Sequence, residues 1–391
     1  MKNFLSLRYE FRYNHLREMT EWRPASAAAT TSLSGVATAT AAAAPAAEWR
    51  ELDKWALNSI YCEVCEAGFV VAFGDLRRML TSNFCTSFHP FTDYLAHLPR
   101  WDGRDRITPL SARISDDALW TLVFHRWMLA MVAQWKGLEL QTANSMVPVL
   151  VSERQGLGKS TFWRSIVPPE LQTYYLDKLE FTTGGEYDRM MAQCCLINLD
   201  EMDVLTDRAM SKFKAATQMK SITGHSTLRT RITVNRRMAS FCGTTNQRAI
   251  LRDRTGSRRF FCQEVKGKIS CGGIQHAQIY AQLLAELEAG ERTWFTKKEE
   301  LRIQRHNRLF YAPTPVQQAL TKLFRAPLDV DGPDDVLHLS THDLMRALAR
   351  RHSALVSTMD LKKLGRQAAV LFPKAKRTNA GLLFKVVALK A

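Results

Sequence analysis

Between Ser115 and Trp135 large apolar side chains recur at Trp120, Val123, Phe124, Trp127, Met128, Met131 and Trp135. This i, i+3, i+4, i+7 spacing is that of a helix with one wide buried face, so it predicts a core helix. Downstream the period changes. Continuous apolar runs at 146–151, Cys194–Leu199, Met238–Thr244 and Phe260–Val265 alternate with helix-compatible stretches. Runs without polar alternation are what the strands of a parallel sheet covered on both faces require. Residues 111–312 therefore read as an α/β domain, with a helical end at 276–310 that sets Ile279, Leu283, Leu284 and Leu287 on one face.

The flanks carry weaker patterns. Residues 1–23 alternate aromatic and polar positions at Tyr9, Phe11 and Tyr13, with Trp22 further on, which predicts a β-hairpin. From 24 to 47 the chain is almost entirely Ala, Thr and Ser, without charge or apolar period, and reads as a linker. Residues 48–110 read as a small helical region with Trp55, Leu57, Ile60, Leu76, Met79 and Leu80 as apolar positions. Near its end Trp101-Asp102-Gly103 reads as a turn whose tryptophan packs on the next helix. Beyond Pro313 and Pro315, Ser340-x-x-Asp343 and Ser357-x-x-Asp360 are capping-box starts. Leu361, Leu364, Ala368 and Leu371 then share a helix face, followed by Lys374, Lys376, Arg377, the turn Asn379-Ala380-Gly381 and the strand Leu382–Val387. Two helices and a basic hairpin predict a winged-helix-like domain at 313–391, a module that binds duplex or forked DNA or docks proteins.

Composition narrows the partners. The 391 residues suffice for about two or three domains. A net charge of +16 at pH 7 favours polyanions, with nucleic acid first. No apolar run approaches the roughly 20 residues of a spanning helix. The first residues are broken by Arg8, Glu10 and Arg12, unlike a signal peptide. The expectation is a cytoplasmic protein with no membrane partner, whose 8 cysteines stay reduced. Cys194, Cys195, Cys242 and Cys262 lie in apolar runs and read as core residues. Cys62-x-x-Cys65 and Cys85-x-x-x-His89 have zinc-like spacing, but Cys62 and Cys65 fall in a helix-compatible stretch without the tight glycine turn that presents such a pair, so a structural zinc is not expected.

The candidate chemistry begins where the first apolar run enters Ser152-Glu153-Arg154-Gln155-Gly156-Leu157-Gly158-Lys159-Ser160-Thr161. A strand, a glycine turn and then Gly-Lys-Ser-Thr is the pattern of a phosphate-binding loop. Backbone N–H groups wrap phosphate oxygens, the lysine reaches the β/γ-phosphates and the hydroxyl ligates Mg²⁺. Gln155, Gly156, Gly158, Lys159, Ser160 and Thr161 are therefore the candidate ATP-binding residues. Glu153 stands where the pattern has its first glycine, setting a side chain and a carboxylate at the loop's entry. The second apolar run ends in Asp200-Glu201. There Asp200 would share Mg²⁺ with Ser160, and Glu201 would deprotonate the attacking water. The third run ends in Gly243-Thr244-Thr245-Asn246, where the Asn246 amide could stand between γ-phosphate and water. Past it, Arg258 and Arg259 are candidate arginine fingers, acting in cis or from a neighbouring subunit, with no ground to choose between them. The segment 225–237 reads as a hairpin with basic arms, and Arg229, Arg231, Arg236 and Arg237 are candidates to bind a nucleic-acid backbone.

These segments resemble the virulence-associated protein E-like P-loop proteins of bacteria, phages and mobile elements. The likeness runs through Arg12-Tyr13-Asn14, Asn58-Ser59, His89-Pro90-Phe91, Leu98-Pro99-Arg100-Trp101-Asp102-Gly103, Gln155 to Ser160, Asn198-Leu199-Asp200-Glu201, Ala239 to Asn246 and Asp253 to Phe260. It implies a P-loop NTPase of the AAA+ group, related to superfamily 3 helicases, that assembles as a homo-oligomeric ring with the basic hairpin facing its pore. It also implies ATP hydrolysis with Mg²⁺, action on single-stranded or forked DNA, and a role in replication of a mobile element or phage. No segment here reads as a primase, so any priming activity would lie on another chain, a separate primase. The alternative is a nucleotide-dependent switch or loader that binds DNA without unwinding it. A non-enzymatic DNA-binding protein with a loop disabled by Glu153 is a further alternative.

Overall fold

The computed structural model describes residues 1–25, 48–138, 142–181, 186–225, 232–251, 257–357, 359–378 and 381–389. Nearly all of the expected linker, together with Arg229 and Arg231, lies outside the described residues. The chain forms two compact units: Met1–Asn246 with Arg258–Arg305, and Gln247–Ser257 with His306–Ala391.

The first unit opens with helix α1 (Lys2–Arg8), where the sequence pattern predicted strand. Leu5 sets its side chain into a small core with Ile60 and Val64, a helical contact that the aromatic alternation further on had masked. The hairpin begins only at β1 (Tyr9–Asn14) and returns as β2 (Met19–Pro24), with Phe11 opposite Trp22. Strand β3 (Arg50–Glu51), helices α2 (Lys54–Glu66) and α3 (Phe73–Leu80) and strand β4 (Thr86–Phe88) complete a four-stranded sheet of order β3-β2-β1-β4 with its covering helices.

Helices α4 (Pro90–Ala96) and α5 (Ile107–Ala112) lead to α6 (Ala118–Trp135), the predicted core helix. Trp101 is only half-buried, with its indole N–H given to the Arg104 carbonyl at 2.9 Å, and Gly103 makes the turn at φ +81°. Asp117 caps α6 by accepting from Leu119 N at 2.8 Å. The seven apolar positions picked out by their spacing are all at 0% exposure. Three α6 indoles donate to main-chain carbonyls: Trp120 to Ser111 at 2.9 Å, Trp127 to Phe241 at 3.0 Å and Trp135 to Cys195 at 3.4 Å. Buried tryptophan is accommodated in this way when its N–H finds an acceptor.

The central sheet follows. Its strands are β5 (Val147–Val151), β6 (Tyr175–Leu176), β7 (Leu196–Leu199), β10 (Ser240–Thr245) and β11 (Phe260–Glu264), all parallel, in the order β11-β5-β10-β7-β6. Four of them coincide with the predicted apolar runs, whereas β6 is two residues long and too short to leave a periodic signal. Helix α7 (Lys159–Ser165) follows β5, α8 (Glu186–Gln193) precedes β7, and α9 (Asp207–Ala216) precedes the antiparallel pair β8 (Ser221–His225) and β9 (Ile232–Arg236). Helices α10 (His276–Glu288) and α11 (Lys297–His306) follow β11. No helix among the described residues is long and apolar enough to cross a membrane.

The second unit contains α12 (Pro315–Leu323), β12 (Phe324–Arg325), β13 (Leu337–Ser340), α13 (Thr341–Arg351), α14 (Ser353–Val356), α15 (Leu361–Leu371), β14 (Lys374–Thr378) and β15 (Gly381–Ala388). Leu320, Leu344, Leu364, Ala368 and Phe384 form its core. Ser340 and Asp343 make the predicted capping box. The box expected at Ser357 is absent: Ser357 ends the short α14 and donates to Ala354 O, while Asp360 itself caps α15.

Candidate functional site

The glycine loop leaves the C-terminal end of β5, the usual ligand end of an open parallel sheet. Gly156 at φ +73° and Gly158 at φ +88° take the left-handed conformation that favours glycine. Glu153 keeps a negative φ and an exposed side chain, so this residue occupies the loop entry without backbone strain.

Because β5, β10 and β7 run parallel and adjacent, with Val151 opposite Thr245 and Leu199 opposite Gly243, their ends deliver the candidate residues to one place. Lys159, 8% exposed, donates to Asn246 Oδ1 at 2.9 Å and lies 3.5 Å from the carbonyls of Ser152 and Arg154. Burial lowers its pKa, opposed by the charges of Asp200 and Asp203. Ser160 Oγ donates to Asp200 Oδ1 at 2.7 Å, and Thr244 Oγ1 donates to the same oxygen. Glu201 sits at φ +52°, ψ +51°, with its N–H on Thr244 Oγ1 at 3.3 Å. A left-handed glutamate is uncommon and mildly strained. The next residue, Met202, is buried with its thioether against Gly243, where any Cβ would collide with it. Gln155 and Thr161 are exposed at the two ends of the loop turn.

Sequence reasoning left three supports of this cluster unassigned. Thr244 steadies Asp200, Thr245 Oγ1 donates to Asp203 Oδ1 at 2.7 Å, and the Trp163 indole donates to Gly243 O at 3.0 Å. The Thr244-Thr245 pair at a strand end was the available signal. Asp203, two residues past Glu201, had none beyond its charge.

Two expectations need correction. Arg258 and Arg259 precede β11, whose Phe260 lies opposite Val147 and Glu264 opposite Val151. They stand at the opposite end of the sheet from the glycine loop, about 16 Å of strand away, so a contact in cis with a ligand in that loop is excluded. There they line a cavity of about 430 Å³ with Lys220, Asn144 and Trp294. Arg237, expected on a nucleic-acid surface, is 3% exposed. Its guanidinium donates to the carbonyls of Met219 (2.7 Å), Ala239 (2.7 Å), Asn144 (3.0 Å) and Thr217 (3.3 Å), and burial lowers its pKa. It is a structural residue, turned inward because its strand ends at Arg236. Arg236 is exposed and donates to the Gly137 carbonyl.

The four strand-associated cysteines are buried, and burial raises each thiol pKa. Cys62 and Cys65 are exposed on α2, whereas Cys85 is buried and donates to the Leu80 carbonyl at 3.1 Å.

These features define a mixed α/β protein on a parallel sheet, with a lysine, three hydroxyls and three carboxylates gathered at the C-terminal strand ends. The chain belongs to the virulence-associated protein E-like family: that domain matches residues 95–312, more than half of its length. Among solved structures it is similar to the apo C-terminal region (305–718) of NrS-1, with 10% identity and a TM-score of 0.45, covering 99% of this chain and 98% of that one. A second form of that region, the A form, aligns at 11% identity and a TM-score of 0.44, again over 99% of this chain and 98% of that one. Among curated proteins none matches.

Proposed function

We propose that this protein is an ATP-dependent, helicase-like motor that engages DNA in replication of a mobile element or phage. The observation that carries the reading is the convergence of Lys159, Ser160, Asp200, Glu201 and Asn246 on a loop with two left-handed glycines. We read the core as a P-loop NTPase of the AAA+ and superfamily 3 type and the second unit as a winged-helix-like domain. The protein would act in the cytoplasm as a ring, with a separate primase.

Loop N–H groups bind the ATP phosphates, and Lys159 turns its ammonium from the Asn246 amide to the β- and γ-phosphates. Asn246, released by that turn, orients the attacking water. Glu201, exposed at the turn after β7, takes the water's proton. Ser160 and Asp200, two oxygen donors 2.7 Å apart, suit a hard dication and would hold Mg²⁺. When bound, Mg²⁺ neutralises charge that develops on the phosphate oxygens. An arginine, Arg258 or Arg259, comes from a neighbouring copy. Arg229, Arg231 and Arg236 engage a single strand as the hairpin moves with hydrolysis.

The test is steady-state ATPase activity with and without single-stranded DNA, for the natural protein and Lys159→Ala. DNA-stimulated hydrolysis that disappears in the variant is expected. Absence of hydrolysis in the natural protein at high protein and Mg²⁺ concentration would overturn the reading. DNA-stimulated hydrolysis without strand displacement would favour the switch or loader.

A further inference from the structure

The second unit carries a groove that the nucleotide chemistry does not use. It is a cavity of about 750 Å³ between the start of α13, one face of α15 and the β14–β15 pair. His342, Lys362, Arg366 and Lys374 stand around it, Leu361 and Leu382 are among its apolar lining, and no carboxylate lines it. We propose that this groove binds double-stranded nucleic acid through its phosphates, independently of the hairpin and of ATP.

The charge balance argues for a polyanion. Residues 306–391 contain 14 Lys and Arg, 6 Asp and no Glu. Four of those aspartates, Asp329, Asp331, Asp334 and Asp335, precede β13, and Asp331 is paired with Arg325. The remaining two are committed to helix caps. Asp343 accepts from Ser340 N at 3.0 Å and Ser340 Oγ at 2.6 Å, and Asp360 accepts from Lys362 N at 3.3 Å. The cations on α15 therefore face the groove without a neutralising partner on its walls. Lys362 and Arg366 lie one turn apart and are exposed, while Leu364 and Ala368 bury the opposite side. That arrangement places two cations in a row beside the basic hairpin.

The same lining argues for a duplex over a single strand. Sequence-tolerant single-strand sites need aromatic faces on which successive bases stack, and no Phe, Tyr or Trp lines this groove, His342 being its single aromatic ring. The unit's phenylalanines, Phe310, Phe324, Phe372 and Phe384, are buried at 7% exposure or less. A helix of 11 residues, about 16 Å long, with one exposed face beside a two-stranded wing, matches the helix-in-groove manner of reading a duplex.

The experiment is fluorescence anisotropy of a labelled duplex of about 20 base pairs, without nucleotide, using the full chain. It compares the natural protein, Lys362→Ala/Arg366→Ala, and the charge-matched Arg350→Ala/Arg351→Ala at the other end of α13. All four side chains are exposed, so neither variant disturbs the core. The groove variant is expected to bind the duplex at least about tenfold more weakly. Its slope of log K against log salt should be shallower by about 1.8, or roughly 0.9 per lost phosphate contact. The control should stay within about twofold. Equal loss in both variants would reduce the effect to net charge and overturn the proposal. So would no duplex binding by the natural protein, which would leave the groove to an acidic protein, and so would a groove variant that loses only single-strand binding. Because nucleotide is absent, failure of the ATPase reading leaves this result untouched, and a natural protein that hydrolyses ATP but binds no duplex sinks only the groove.

Discussion

Arg237 shows how one side chain can change its meaning between sequence and structure. Its neighbours in sequence are basic and lie on a hairpin, yet its guanidinium satisfies four main-chain carbonyls from three separate segments. Replacing it with alanine removes every one of those donors inside the protein. Each buried acceptor left bare costs on the order of 1–3 kcal/mol. Arg237→Ala is therefore expected to lose about 3 kcal/mol or more, and Arg237→Lys to recover less than half, because an ammonium cannot reproduce the planar fork. Chemical denaturation midpoints check this, and an unchanged midpoint for Arg237→Ala would return the residue to the surface. Glu201 makes the complementary case. Its type and place after an apolar run were legible in the sequence, but its left-handed backbone depends on the Thr244 hydroxyl and the Met202 side chain beside it.

At the scale of elements, the site depends on how the turn after β7 is seated on β10. Gly243 leaves room for the Met202 thioether and gives its carbonyl to Trp163, so β10 links the carboxylate turn to the helix that follows the glycine loop. A methyl group at 243 forces Met202 outward. Gly243→Ala should therefore destabilise by about 1–3 kcal/mol and slow hydrolysis more than it weakens ATP binding. Adding Met202→Ala should restore part of the stability. Thermal melts with single-turnover rates test this, and equal loss in the single and double variants would show that the two side chains are not coupled. The long elements were legible because they bury continuous runs or one helical face. Those missed include α1, the strands β3 and β4 inside the region read as helical, β6 and the cap of α15, each of seven residues or fewer and too short to carry a period.

At the scale of the whole molecule, the far-end position of Arg258 and Arg259 makes the proposed catalytic unit larger than one chain. If the arginine comes from a neighbour, Lys159→Ala still offers a competent arginine and Arg258→Ala/Arg259→Ala still offers a competent loop. Mixing the two inactive variants should regenerate ATPase activity above the sum of the separate proteins, rising with total concentration. A mixture no more active than its parts would refute the shared site. The sequence by itself determined the parallel sheet, the core helix, the glycine loop and the identity of the residues after each strand. Those depend on local period, on φ preferences and on short motifs. Only the tertiary structure decided which strand ends meet, because the strand order β11-β5-β10-β7-β6 is not the chain order. It likewise decided that one arginine is buried and two lie at the other end of the sheet, since burial and strand register belong to the assembled fold and leave no mark on a residue's immediate neighbours.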